Sequence, residues 1–308
     1  MHYSSQTLRP FMISHGGEYR HINPVRHLLC GLGLLAGTAF AVEARRPNFV
    51  VILSDDHAYR AIGYNNPVVK TPNMDRLAAE GLRFDRAFVA SPICAASRAS
   101  IYSGVFPQQH GTVGLYGRGF IESVVKGKRF ATLPAVLEAA GYHTALYGKS
   151  HLGEPTTFGF AEGRELFDPN DEGTFAEAEK FLQREAKSGR PFLLWLTPRN
   201  PHVLLTAPQR FKDLYNDSEI KLDSNWRESP LNQSFFNQGL AGEVTFRDSH
   251  FLVYPHAPAG ATGGPPRNES QMKAVIKAYY GDVSCLDEQI GTLVGQLKAN
   301  GLYENTIS

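Results

Sequence analysis

The sequence predicts an α/β domain, with a largely parallel central sheet and helices on both faces. Two observations carry this. Continuous apolar runs of strand length stand at 49–54 and 192–197, as in strands buried on both faces. Between them, segments with helix start and stop signals alternate with further strand-like runs.

Taken in order, Phe49 to Ser54 reads as the first strand. Thr71 reads as an N-cap, with Pro72 at the first helical position and Gly81 closing the helix. Leu82 to Val89 reads as a second strand. Thr132 caps another helix, which has Pro134 in its first turn and Gly141 at its end. Tyr142 to Tyr147 is a strand, Phe175 to Lys187 a helix by its apolar spacing, and Phe192 to Thr197 a further buried strand. Residues 204–270 are rich in Pro, Gly, Asn and Asp and read as a surface excursion shaping a site mouth. Met272 to Asn300 is a long helix whose apolar stripe includes Val275, Tyr279, Val283, Leu286, Ile290 and Leu297. No internal repeat is present.

The N-terminus stands apart. Arg9, Arg20, Arg26 and His27 precede an apolar run from Leu28 to Phe40, and Ala39-Phe40-Ala41 offers a small-x-small cleavage site. Residues 1–41 therefore read as a secretory signal peptide, which places the protein outside the cell or in a periplasm. The run is short for a membrane span, so no stable membrane insertion is expected. A buried helix or an uncleaved anchor is the alternative. The 308 residues carry 31 basic and 30 acidic side chains, a net charge of +1. That balance argues against nucleic acid as a partner and leaves attraction of an anionic substrate to local charges.

The chemistry-bearing residues follow strands. Asp55 and Asp56 follow the first, Cys94 the run at 82–89, Lys149 and His151 the strand at 142–147, and His202 the strand at 192–197. In open parallel sheets ligands bind at the carboxyl ends of strands. Two adjacent carboxylates at a buried strand end suit a hard cation, calcium or magnesium, or else a capping Asp beside a solvated one. Cys94 and Arg98 stand one helical turn apart, with the cysteine where backbone N–H groups would point outward. His57 reads as a loop histidine, His110 as a supporting residue, and the remaining histidines as surface or loop residues. Asp282 and Asp287 read as surface or capping charges, and Cys285 as a buried helix cysteine.

Cys94-Ala95-Ala96-Ser97-Arg98 resembles the maturation signature of the sulfatase family. The resemblance runs from about Arg46 to the last residue. Asn48 to Asp56 is similar to the family's first strand with its metal aspartates, Thr71 to Ala78 to its first helix, Tyr147 to Gly153 to its Lys–His segment, and Asn200-Pro201-His202 to its Pro-His turn. The resemblance implies an alkaline phosphatase-like fold over residues 46–308. It further implies that a maturation enzyme oxidises Cys94 to formylglycine, whose hydrate attacks the sulfur of a sulfate ester. One calcium ion would lie at Asp55, Asp56 and the Cys94 position. Arg98 would hold the hydrate, Lys149 would bind sulfate oxygens, His151 would steer protons, and His202 would stand near the leaving-group oxygen. The substrate would be a sulfated small molecule or sulfated glycan.

Two departures qualify this. Ala96 stands where many members have proline. In the family, a strand just after a segment like Leu302 to Ser308 supplies further metal ligands, so residues 46–308 are expected to be an incomplete N-terminal catalytic domain with little or no activity by themselves. A phosphonate or phosphate ester hydrolase of the same superfamily and an inactive truncated homologue are the alternative functions.

Overall fold

A computed structural model describes residues 45–115, 117–126, 129–168, 170–202, 205–222 and 268–308. The expected signal peptide at 1–41 and most of the excursion at 204–270 lie outside the described residues. No helix among the described residues is long and apolar enough to cross a membrane.

Among the described residues five strands form one sheet: β1 (Asn48–Ile52), β2 (His143–Gly148), β3 (Glu162–Glu165), β4 (Phe192–Thr197) and β5 (Thr306–Ile307). Their spatial order is β3-β2-β4-β1-β5, and every pairing is parallel. β4 lies at the centre and reads FLLWLT, every residue buried. Successive side chains leave a strand on opposite faces. Leu194 and Leu196 accordingly join Ala178, Phe181 and Leu182 of the helix Glu172–Ser188 in one core. Leu193 and Trp195 join Ala95, Ala99 and Tyr102 of the helix Cys94–Ser103 in the other. Helices thus cover both faces, as the sequence predicts. In chain order the principal helices are α1 (Pro72–Glu80), α2 (Cys94–Ser103), α3 (Leu133–Ala139), α4 (Glu172–Ser188) and α5 (Glu269–Ala299).

The expected strand at 82–89 does not form. Residues 82–89 carry no strand, and Leu82, Phe84 and Phe88 are exposed. Alternation of apolar and polar residues makes a segment fit for a ladder, but a strand exists only through its partner. Among the described residues none pairs with it. Conversely, β3 (EGRE) is too polar to register as a strand, being an edge element held by its ladder to β2.

Thr71 precedes α1 as expected, but its hydroxyl does not cap the helix; it donates to Asp75 and accepts from the Gly63 N–H. The cap comes from Asp287 of α5, whose carboxylate accepts the N–H groups of Asn73 and Met74 at 2.8–3.2 Å. A carboxylate at a helix N-terminus satisfies orphan donors and meets the positive end of the dipole. Asp287 is therefore a capping charge, but on a neighbouring helix and buried. Asp282 also departs from the surface reading. Residues 281–287 of α5 are all buried, because the helix packs against α1, α4 and the segment around 205–215 at once.

Asp282 is fully buried. Its Oδ1 accepts the Ala207 N–H at 2.6 Å and its Oδ2 meets no hydrogen-bond donor among the described residues within normal hydrogen-bond geometry. Burial pushes its carboxyl from 3.8 up to about 7. Across that window the folded chain holds a proton that the unfolded chain has lost, so stability falls as pH rises towards 7 and levels above it. The contribution is on the order of 4 kcal/mol. Asp282→Asn is expected to flatten the decline in melting temperature between about pH 4 and pH 7. An unchanged slope in the variant would show that other groups carry it. Asp171, raised by burial to about 6, acts in the same direction and leaves a residual slope.

Candidate active site

Cys94 is the first residue of α2, after the extended Ile93. Its side chain is partly exposed, at the end of the helix where backbone N–H groups have no intrahelical acceptor. It sits between two adjoining cavities of about 330 and 490 Å³, both of which also reach Asp56. Arg98 lies one turn along, 2% exposed. Its Nη1 donates to the Lys149 carbonyl at 2.6 Å, and its Nη2 lies 3.5 Å from Asp55 Oδ1. That Nη2 is buried and makes no hydrogen bond among the described residues. A buried guanidinium N–H left over at the cysteine's own helix is suited to an anion or a hydrated carbonyl.

Lys149 follows β2 and is 5% exposed, and its Nζ donates to Asp55 Oδ2. Gly148 makes this approach possible. At φ 107° it pairs with Thr197, and an added Cβ would stand 2.4 Å from the Thr197 carbonyl oxygen. Asp55 therefore carries one buried negative charge between two cations. Burial works against ionisation, but the charges of Arg98 and Lys149 prevail and hold its carboxyl below 3.8.

Asp56 differs from its neighbour. It has φ 56°, in the left-handed region, and its side chain is 53% exposed. Asp tolerates this conformation better than most residues, and here it turns the second carboxylate into the cavity mouth. Tyr279 of α5 fixes the turn, donating to the Asp56 carbonyl and accepting the Ala58 N–H, each at 2.7 Å. His202 Nε2 lies 3.6 Å from Asp56 Oδ2. His151, at φ 59°, receives a backbone anchor from Glu165 at 2.7 Å. Burial and the charges of Lys149 and Arg98 hold its imidazole below 6.5.

The predicted residues thus converge: Asp56, Cys94, Lys149, His151 and His202 line the larger cavity, and Asp55 and Arg98 the smaller. Three groups come from strand ends as expected. Cys94 comes instead from a loop-to-helix turn, since the strand at 82–89 is absent. His57 lines the smaller cavity but is spent on structure, bonding Ser54 and Ala61 at 3.2 and 2.7 Å. His110 is fully buried, its Nε2 3.0 Å from Ser100 Oγ and its Nδ1 accepting from Thr112, so it supports α2 from below. His143 is not a surface residue: it lies in β2, bonded to Glu185 at 2.7 Å. Two residues of the larger cavity carry no sequence signal of their own: Phe167 and Arg199.

Asp55 and Asp56 fit a hard divalent cation in kind, being two carboxylates converging beside Cys94. No group of three or more His, Cys, Asp or Glu side chains is gathered among the described residues. By themselves two carboxylates are fewer than the roughly six to eight oxygens that such a shell takes.

A family model described as Sulfatase matches residues 47–307. Among curated proteins, an N-acetylgalactosamine-6-sulfatase of Mus musculus is 36% identical over 302 residues, covering 91% of this chain and 51% of its own length. The human N-sulphoglucosamine sulphohydrolase is 32% identical, covering 90% and 52%. An ulvan-active sulfatase of Formosa agariphila is 28% identical, covering 86% and 50%. The chain spans about half the length of the curated relatives it matches. Of solved structures, a protein in complex with its substrate D-glucosamine-2-N,6-O-disulfate superposes with a TM-score of 0.62 at 23% identity, covering 85% of this chain and 64% of that one. The phosphonate monoester hydrolase of Agrobacterium radiobacter gives 0.63 at 17%, covering 85% and 61%. These two likenesses establish the fold.

Proposed function

Since the chain belongs to the sulfatase family, we propose that it forms the nucleophile-bearing part of a sulfuric ester hydrolase. The observation that carries this reading is the placement of Cys94, at the start of α2, beside the buried Arg98–Asp55–Lys149 group. A maturation enzyme would oxidise Cys94, and the resulting formylglycine supplies a hydrated aldehyde as nucleophile. A calcium ion at Asp55 and Asp56 supplies charge neutralisation and polarisation of the ester.

The chain's own residues do the rest. Arg98 Nη2 offers its unused donor to the nucleophile at position 94. Lys149, moving between Asp55 and a sulfate oxygen, neutralises charge that grows on that oxygen during S–O cleavage. His151, kept neutral at pH 7 by burial and nearby cations, accepts or relays a proton. His202, at the cavity mouth beside Asp56, stands where a departing alcohol would leave.

The names of the relatives, which refer to ulvan and to amino sugars, support a sulfated glycan or sugar as substrate. A secreted or periplasmic location belongs to the same reading and rests on the apolar run at 28–40. The test is a paired assay of the matured native protein on an aryl sulfate and an aryl phosphonate monoester. Higher kcat/KM on the sulfate is expected. A preference for the phosphonate would move the site to the other branch of the superfamily.

A further inference from the structure

Asp171 stands at the N-cap position of α4, where a carboxylate ordinarily accepts N–H groups of its own helix's first turn. Here it does not. Its side chain makes no capping bond to α4, and its backbone lies in the left-handed region at φ 58°, which a non-glycine residue keeps only where its surroundings hold it there. The carboxylate, 2% exposed, meets the chain beyond β4 instead. Oδ1 accepts the Arg199 N–H at 2.6 Å, and Oδ2 accepts the Asn200 N–H at 2.8 Å. A helix cap and a relaxed backbone are thus given up for two charge-assisted bonds to one turn.

That turn carries His202. The Arg199 carbonyl accepts the His202 N–H at 2.8 Å, and the Asn200 carbonyl accepts the Asp55 N–H at 3.4 Å. The Asn200 side chain, fully buried, makes no hydrogen bond among the described residues, so it does not brace the turn itself. The Arg199 guanidinium lies in the field of the Asp171 carboxylate, which adds to the hold. Asp171 is fixed in its own place through its neighbour. Gln289 of α5 donates to the Asn170 carbonyl at 2.5 Å, and the Thr206 hydroxyl donates to the Asn170 side chain at 3.2 Å. At the far end of the turn the His202 imidazole lines the larger cavity, its Nε2 3.6 Å from Asp56 Oδ2.

We infer that Asp171 is a positioning residue for leaving-group departure: its carboxylate sets the Arg199–His202 turn so that the imidazole meets the alcohol oxygen of the ester. As the S–O bond to the alcohol breaks, its electron pair stays on the alcohol oxygen and a proton moves there from His202, while the sulfur bonds to the nucleophile's oxygen at position 94. Asp171 touches none of these atoms and acts through the backbone of the turn. The inference rests on the sulfate-ester reading of the site.

The experiment takes the matured native protein and a series of aryl sulfates. Nitrophenyl esters release phenolates that leave without a proton, whereas alkoxyphenyl esters release phenolates that need one. Asp171→Asn keeps the size of the side chain but has one accepting oxygen in place of two. Asp171→Gly suits the left-handed backbone and has none. Both are expected to lower kcat/KM on the alkoxyphenyl ester on the order of 10²-fold and on the nitrophenyl ester by less than about three-fold, so the dependence of rate on leaving-group acidity steepens. His202→Ala should steepen it in the same way, and adding Asp171→Asn to that variant should steepen it no further. Arg210→Gln, which breaks an exposed pair with Glu288, should keep the parental dependence. Amide hydrogen exchange on the same samples reads the turn directly. The Arg199 and Asn200 N–H groups should exchange faster in both Asp171 variants, while those of β4 stay protected. Equal losses on all the esters, or faster exchange with an unchanged leaving-group dependence, would make Asp171 merely structural and overturn the inference. A parent protein that cleaves none of the sulfates would overturn the hydrolase reading itself.

Discussion

Cys94→Ala in the native protein is expected to abolish sulfate ester turnover, with kcat falling on the order of 10⁴- to 10⁶-fold, the loss seen when a covalent nucleophile is removed. The fold should be unaffected. Cys94 is partly exposed, forms no disulfide and caps nothing, since the chain enters α2 through Ile93. Alanine is compatible with the first helical position. A matched measurement makes the result specific to maturation. The tryptic peptide containing residue 94 should have lost its sulfur in active protein and kept it in inactive protein. Ala96 is buried at 0% within α2, so its effect on maturation would act before the domain folds around it. Cys94→Ala with parental turnover, or full activity with an intact thiol, would remove the mechanism.

Much of this site could be read before folding because its residues stand next to strong local signals. β1, β2 and β4 are short apolar runs, and charged groups directly after such runs must lie at one edge of a parallel sheet. The helices α1, α3, α4 and α5 carry caps or periods of their own, although the first cap acts differently from its appearance. What stayed hidden depends on tertiary neighbours. The segment 82–89 has a strand's alternation, yet no described strand pairs with it. Asp282 and Asp287 look like solvated charges on an amphipathic helix, and only the packing of α5 on several partners buries them. Arg199 shares the His202 turn but needed the Asp171 carboxylate, nearly thirty residues upstream, to fix its position. Phe167 follows a strand held by hydrogen bonds to β2 and not by apolar character.

Adjacent aspartates should differ sharply in what the same substitution does to stability. Asp55→Asn leaves Lys149 and Arg98, 5% and 2% exposed, without the charge that offsets them. Breaking a buried ion pair from one side costs about 3–5 kcal/mol, a fall in melting temperature on the order of 10 °C for a domain of this size. Asp56 is 53% exposed and its backbone is pinned by Tyr279, so Asp56→Asn should change the melting temperature by less than about 2 °C. On the proposed cation site both variants should lose calcium-dependent turnover, since each replaces a charged carboxylate by a neutral amide. The double variant Asp55→Asn/Lys149→Met separates stability from chemistry. Removing the stranded ammonium should recover part of the lost stability and none of the activity, because neither the carboxylate nor the sulfate-binding cation remains. Calorimetric unfolding of the four proteins, beside calcium titration of the same samples, reads both effects. Asp55→Asn with parental stability would show that the Arg98–Asp55–Lys149 group is not the core of the site. Asp56→Asn with undiminished calcium affinity would take the second carboxylate out of the cation shell.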